Sequence, residues 1–309
     1  MPPAAKVGRP AVIDPGTTRA RDWTGGIRHD RLVTVTASVD DYLWFGEDCP
    51  FGLNFCVTLV RGLTPDQVIA AFDGSEAVDI TGAHRLERAA DQVGYPDPIG
   101  EDGAFYADLD SGLDFIAACD VGGWTLITEP NGFRCSTEES ARLLSASGEL
   151  VSFYFNENTD PVLRWARDGE TLLTFDPSGG AGWREGSDPD RLVPVLEALG
   201  FDLSTEEYDP ADPRWQYDEA WQARTLALMQ HMTGVRLDAD LLENATFRCA
   251  AVPDPHSLTW MRANPDRIGP LTVEQLAVQA RGRLAAYAAD PDRDEDDEWG
   301  EDGDEWDAE

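Results

Sequence analysis

This chain is poor in basic residues: 24 Lys and Arg stand against 59 Asp and Glu in 309 residues, a formal net charge of −35, and Lys6 is the only lysine. A surface so negative repels phosphate backbones and anionic lipid, so we expect no nucleic acid and no membrane among its partners and look instead to basic protein faces. Long apolar runs are missing too. The longest stretches, such as Phe55 to Val60, fall far short of the roughly 20 residues that span a bilayer. The opening MPPAAKVGRPAVIDPG sets prolines and charges where an export signal needs roughly 7–15 unbroken apolar residues, so the expected home is the cytoplasm. Five cysteines (Cys49, Cys56, Cys119, Cys135, Cys249) form an odd set, three of them within apolar stretches where a reduced thiol behaves as a small hydrophobe.

Signatures of catalysis are absent as well. The four histidines (His29, His84, His231, His256) are far apart, and there is no CxxC pair, GxSxG elbow, Walker loop or GxGxxG. The glycine run Ser178–Gly182 precedes a helix start, but Glu185, Asp188 and Asp190 crowd the end a phosphate would need, so it reads as a loop. Cys135 has no partner base nearby and reads as structural. Oxygen-rich stretches at 156–160 and in the tail, where Asp290, Asp292, Asp294, Asp296 and Glu301 imitate part of a calcium ladder, read as a turn and a solvated run; Pro291 and Glu295 spoil the ladder. We expect no cofactor and no metal, and the enzyme question leans towards no.

What is present is a packed body. Hydrophobic residues make up 42% and aromatics 9%, with ten Trp, which suits a folded object carrying its charge outside. Residues 1–31 hold six basic side chains and three acids and read as a flexible basic arm. Residues 32–203 read as an α+β domain. LVTVTASV from Leu32 has strand alternation, and further strands are expected at Asn54–Val60, Asp114–Cys119, Trp124–Thr128, Leu150–Phe155, Val162–Ala166 and Leu172–Phe175. Short turns at Asp120–Gly123 and Asp168–Gly169 make the sheet mainly antiparallel, flanked by helices. Helix starts are marked at Thr64, Ser136, Ser187 and Thr272, each with Glu, Gln or Asp three residues on. Residues 204–289 read as a small helical unit (Trp215–Met232, Leu237–Glu243, Val273–Ala289), and 290–309 as a disordered acidic tail carrying −12, which leaves −23 on the rest.

Four stretches in order carry a resemblance: Cys56–Pro65, Gly122–Leu126 with Glu129–Gly132, Val151–Phe153 with Asn156, and Gly186–Asp190. Over roughly residues 32–203 the chain resembles the actinobacterial domain-of-unknown-function 6461 family, which implies no activity and no catalytic residues. Three functions follow from the residues themselves. The first is a non-enzymatic acidic protein that binds a cationic protein partner, of the immunity or regulatory type in a bacterial conflict system. The second is an enzyme or small-ligand protein with a site of dispersed Asp, Glu, Arg and Trp, for which Arg61, Trp124, Glu129, Asn131, Asn156 and Arg164 are the candidates. The third is a DNA mimic. Trp299 and Trp306, each ending an Asp-Glu-Trp repeat in the tail, are candidate partner contacts for the first.

Overall fold

A computed structural model describes residues 35, 37–46, 49–94, 111–157, 161–179, 181–205, 220–263 and 272–291. All belong to one compact unit with bounds Val33–Glu309. The basic arm and all but the first two residues of the acidic tail, with Trp299 and Trp306, lie outside the described residues.

The centre is one sheet of eight strands: β1 (Phe55–Arg61), β2 (Val78–Thr81), β3 (Leu113–Asp120), β4 (Thr125–Pro130), β5 (Glu149–Phe155), β6 (Val162–Arg167), β7 (Glu170–Phe175) and β8 (Thr246–Pro253). Their order is β2-β8-β3-β4-β1-β5-β6-β7, with every pairing antiparallel. The hairpins are where the turn chemistry sets them. Asp168 and Gly169 have φ of 52° and 78°, the left-handed pair that a two-residue turn between twisted strands requires. Gly122 and Gly123, at 78° and 90°, close the β3–β4 turn.

Helices cover both faces. On one, Phe55, Val57, Leu59, Val151 and Phe153 point into a large apolar cluster shared with the 3₁₀ helix Val39–Gly46, α2 (Leu86–Gly94), α4 (Val193–Leu199), α5 (Trp221–Thr233), α6 (Ala239–Asn244) and α8 (Val273–Ala289). Phe55 meets Phe153 edge-on at 5.5 Å, and Phe153 meets Trp221 edge-on at 5.8 Å. On the other face, Cys56, Val60, Ile127 and Leu150 pack under α1 (Pro65–Ala71) and α3 (Glu138–Leu144). The result is a three-layer body, the α+β class with a mainly antiparallel sheet flanked by helices.

Capping explains the best-legible helices. Thr64 and Thr272 each accept from the backbone N–H three residues on while Gln67 and Gln275 reach back, complete capping boxes for α1 and α8. Near Ser136 the cap is Thr137, one residue later, because Arg134–Ser136 winds first into a 3₁₀ turn. The Ser187 start is displaced further: Ser187–Leu192 forms turns, and α4 opens at Val193.

Other elements depart from the sequence reading. The strand expected from Leu32 is not found among its described residues; Val39 begins the 3₁₀ helix, whose buried Tyr42 and Phe45 lie three apart and pack against α5. The C-terminal helices are present, and threaded between α6 and α7 (Pro255–Ala263) is β8, which enters the sheet between β2 and β3. The chain after residue 203 therefore supplies an interior strand of the sheet. β8 is TFRCAAVP, buried on both faces over most of its length, and so lacks the period-two alternation that marks a half-exposed strand.

Candidate functional site

Among the described residues the sequence candidates form two groups at opposite ends of β1 and β4, with Arg164 apart on β6, level with Thr58 midway along β1. Val60 pairs with Thr125 at one end, and Cys56 with Glu129 at the other. At roughly 3.3 Å per residue the two ends are about 13 Å apart.

At the first end, Arg61 and Trp124 meet. The guanidinium lies over the indole, 4.4 Å from the ring centroid. They line an open groove of about 830 Å³ with the Asp120–Gly123 turn, the Thr233–Val235 segment after α5, Arg236 and Leu241. Trp124 itself is only 4% exposed and belongs to the apolar core, so it is a floor for Arg61 rather than a free aromatic.

At the second end lies Glu129, 1% exposed. Both its oxygens accept from the Cys135 backbone N–H, at 3.0 and 3.2 Å, which ties the end of β4 to the 3₁₀ turn before α3. Burial pushes its carboxyl up to about 7, aided by Asp114; the Cys135 hydrogen bonds and Arg134 pull the other way. Cys135 and Cys56, both fully buried, have thiols held far above their ordinary range by desolvation, so neither is a ready nucleophile. A short polar seam continues across the sheet: Cys56 Sγ lies 3.3 Å from Ser152 Oγ, and Thr58 donates to Ser152 at 2.8 Å.

Asn131 and Asn156 flank the same end of the sheet, since Phe55 faces Pro130 on one side and Phe155 on the other. Asn131 has φ of 58°, and its backbone N–H donates to Asn54 O at 2.7 Å, the work of a turn residue. Asn156 donates to the Tyr154 hydroxyl at 2.7 Å.

Arg164, on β6, is the bridge between seam and solvent. Its Nε donates to Ser136 O at 2.9 Å and its Nη1 to Glu138 at 2.5 Å. Thr171 donates to the same Glu138 carboxylate. These residues line a second open groove of about 520 Å³ with Glu170, Glu185, Gly186 and Ser187. Three carboxylates and one arginine give it a charge of −2. Among the described residues no three His, Cys, Asp or Glu side chains gather in a way that could hold a metal ion. Nor is any helix among them long and apolar enough to cross a membrane.

The model of a family of unknown function, the domain-of-unknown-function 6461 family, matches residues 35–257. The chain belongs to this family. The match extends past residue 203, where the sequence resemblance stopped, because α5, α6 and β8 complete the same sheet and core. Both grooves, with Arg61, Trp124, Glu129, Asn131, Asn156, Arg164 and Arg236, fall inside the family match. No curated protein and no solved structure matches the chain.

Sequence reasoning missed Glu138, Glu170, Glu185 and Arg236 as groove residues. Glu170 was accessible, since it follows the Asp168–Gly169 turn directly and must lie opposite Arg167. The others come together only through tertiary packing.

Proposed function

We propose that this protein is a cytoplasmic, non-enzymatic binding protein that engages a cationic protein partner through its acidic surface, with the groove of Glu138, Glu170 and Glu185 as the contact. The observation that carries this reading is the charge: −23 remains on residues 1–289 after the tail is set aside, on a packed three-layer body. Such a field steers a basic partner and accelerates its capture. The groove adds shape at a place where the lining is net negative, and Arg164 at its base is held by Ser136 and Glu138, leaving Glu170 and Glu185 exposed to a visitor. The dispersion of the other candidates also favours this reading, since Glu129 is sealed in the core, Asn131 serves a turn and Asn156 is bonded to the Tyr154 hydroxyl.

The test is capture from native lysate with immobilised protein, at low and at high salt, for the wild type and for the variant carrying Glu138→Gln, Glu170→Gln and Glu185→Gln. The expected result is one basic protein retained in stoichiometric amount at low salt, released as salt screens the field, and lost from the triple variant. Retention that ignores salt, or no retained protein, contradicts the reading. Repeating it with a chain ending at Ala289 separates the body from the tail and its Trp299 and Trp306.

A second reading, a small-ligand site, is favoured at one place only, the groove of Arg61 and Trp124.

A further inference from the structure

We infer that the groove beside Trp124 is a binding site for a small polyanion bearing phosphate or carboxylate groups. Three side chains form a row beside it. Arg61 on β1, Glu149 on β5 and Arg167 on β6 are direct cross-strand partners. Glu149 Oε1 already accepts from Arg167 at 2.6 Å and from the Trp165 indole N–H at 2.8 Å, while Arg61 approaches Oε2 only to 3.9 Å. Arg167 holds Glu149 firmly and faces Glu170 across the β6–β7 turn, so the loosely partnered guanidinium of the row is Arg61. Its face rests on Trp124, an arrangement that keeps the in-plane N–H donors available for a bidentate acceptor.

Across the groove stands Arg236, its side chain half exposed. Its acids, Asp41 and Asp238, lie at 3.4 and 3.6 Å, well beyond the roughly 2.7–2.9 Å of a firm charge-assisted hydrogen bond. Asp238 caps α6 with its other oxygen, Oδ1, which accepts from Leu241 N–H at 2.9 Å and fixes the carboxylate at that distance from Arg236. Asp120, the one acid lining the groove, accepts from the Gly122 N–H at 3.2 Å. The lining therefore carries +1 in a chain of −35.

The groove is also unfilled by design of the backbone. Gly122, Gly123 and Gly234 have φ of 78°, 90° and 76°, and a Cβ at any of them would meet nothing within 4 Å. These walls are bare main chain facing open space. At about 830 Å³ the groove falls within the roughly 300–1,000 Å³ of small-molecule sites. The ligand must be small, because a nucleic acid or other extended polyanion would run onto the surrounding carboxylates.

The global charge makes the test clean, since it suppresses non-specific anion uptake. The full chain is titrated calorimetrically with inorganic phosphate, pyrophosphate and citrate at about 50 mM salt. Saturable binding of pyrophosphate or citrate with Kd below about 1 mM is expected. It should weaken at least about tenfold in Arg61→Gln and in Arg236→Gln, whose side chains are half exposed and whose folding circular dichroism verifies. Arg248→Gln, paired with Asp66 and Asp79 away from the groove, should leave it unchanged. The pyrophosphate and citrate arms distinguish phosphate from carboxylate chemistry. No saturable binding by any of the three at about 10 mM, or equal binding in both groove variants, overturns the inference.

Discussion

The two grooves lie on opposite faces of one sheet and have opposite sign. Arg61 and Trp124 belong to the face carrying Leu59 and Val151, under α5 and α6, whereas Arg164 follows Ser152 on the face beneath α3. On the first face Glu149 is held by Arg167 and leaves Arg61 loose, and with Arg236 against Asp120 the groove lining sums to +1. On the second one arginine is answered by Glu138 while Glu170 and Glu185 stay exposed, so negative charge is left over. The lesson is that a net charge of −35 does not fix the local field. Cross-strand register decides which residues share a partner, and the shared partner decides the remainder.

The comparison breaks most severely if the arginine-bearing face loses its core. Phe153→Ala removes the ring that meets both Phe55 and Trp221, and should cost about 3–5 kcal/mol in urea unfolding. Native-state anion binding should disappear with the fold.

The second effect concerns Glu129 under the opposite face. Its carboxyl is raised from 4.5 to about 7 on folding, so the folded state holds a proton that the unfolded chain has released between those values. The associated stability is fully present below about pH 4.5 and is lost as pH rises through about 7. Glu129→Gln should thus gain up to about 3 kcal/mol over wild type at pH 8 to 9, less what the Cys135 N–H loses as its acceptor weakens. Thermal melts of both proteins across pH should converge at the acid end. Parallel curves would show that Glu129 does not titrate there.

A smaller effect sharpens the acidic groove without altering a charge. Gly186 has φ of 126°, and a Cβ there would stand 2.3 Å from Leu172 O. Gly186→Ala should cost roughly 1–3 kcal/mol and pull the Glu185–Ser187 segment off β7. Hydrogen exchange at the Thr174 amide, which donates to Glu185 O at 2.8 Å, reads that detachment. Smallest is Glu138→Gln. Its pair with Arg164 is about two-thirds exposed on the acid's side, so the loss should stay within about 1 kcal/mol in urea unfolding.

Much of the fold was legible in the sequence, for local reasons. Thr64 and Thr272 carry their whole cap in four residues, and Asp168–Gly169 carries its turn in two. Strands β1, β3, β4, β5, β6 and β7 stood out because turn residues bracket them. β8 did not, since a strand buried on both faces has no alternation, and β2 is only four residues long. α2 was overlooked although Leu86, Ala89, Ala90 and Val93 keep helical spacing on its buried side. For the site, the Arg61–Trp124 pair joins two residues named from sequence, but Glu149, Arg167 and Arg236 enter through register and loop packing that no local pattern encodes.

The most direct test is to map two probes onto backbone amides by heteronuclear NMR of the full chain: pyrophosphate and a short arginine-rich peptide. Pyrophosphate should shift Gly122, Gly123, Gly234 and the Trp124 indole, and the peptide should shift Thr171, Thr174, Glu185 and Ser187, two sets on opposite faces of the sheet. Shifts from both probes falling on the same amides, or spread evenly over the surface, would contradict the claim that register divides the field of this chain into two sites of opposite sign.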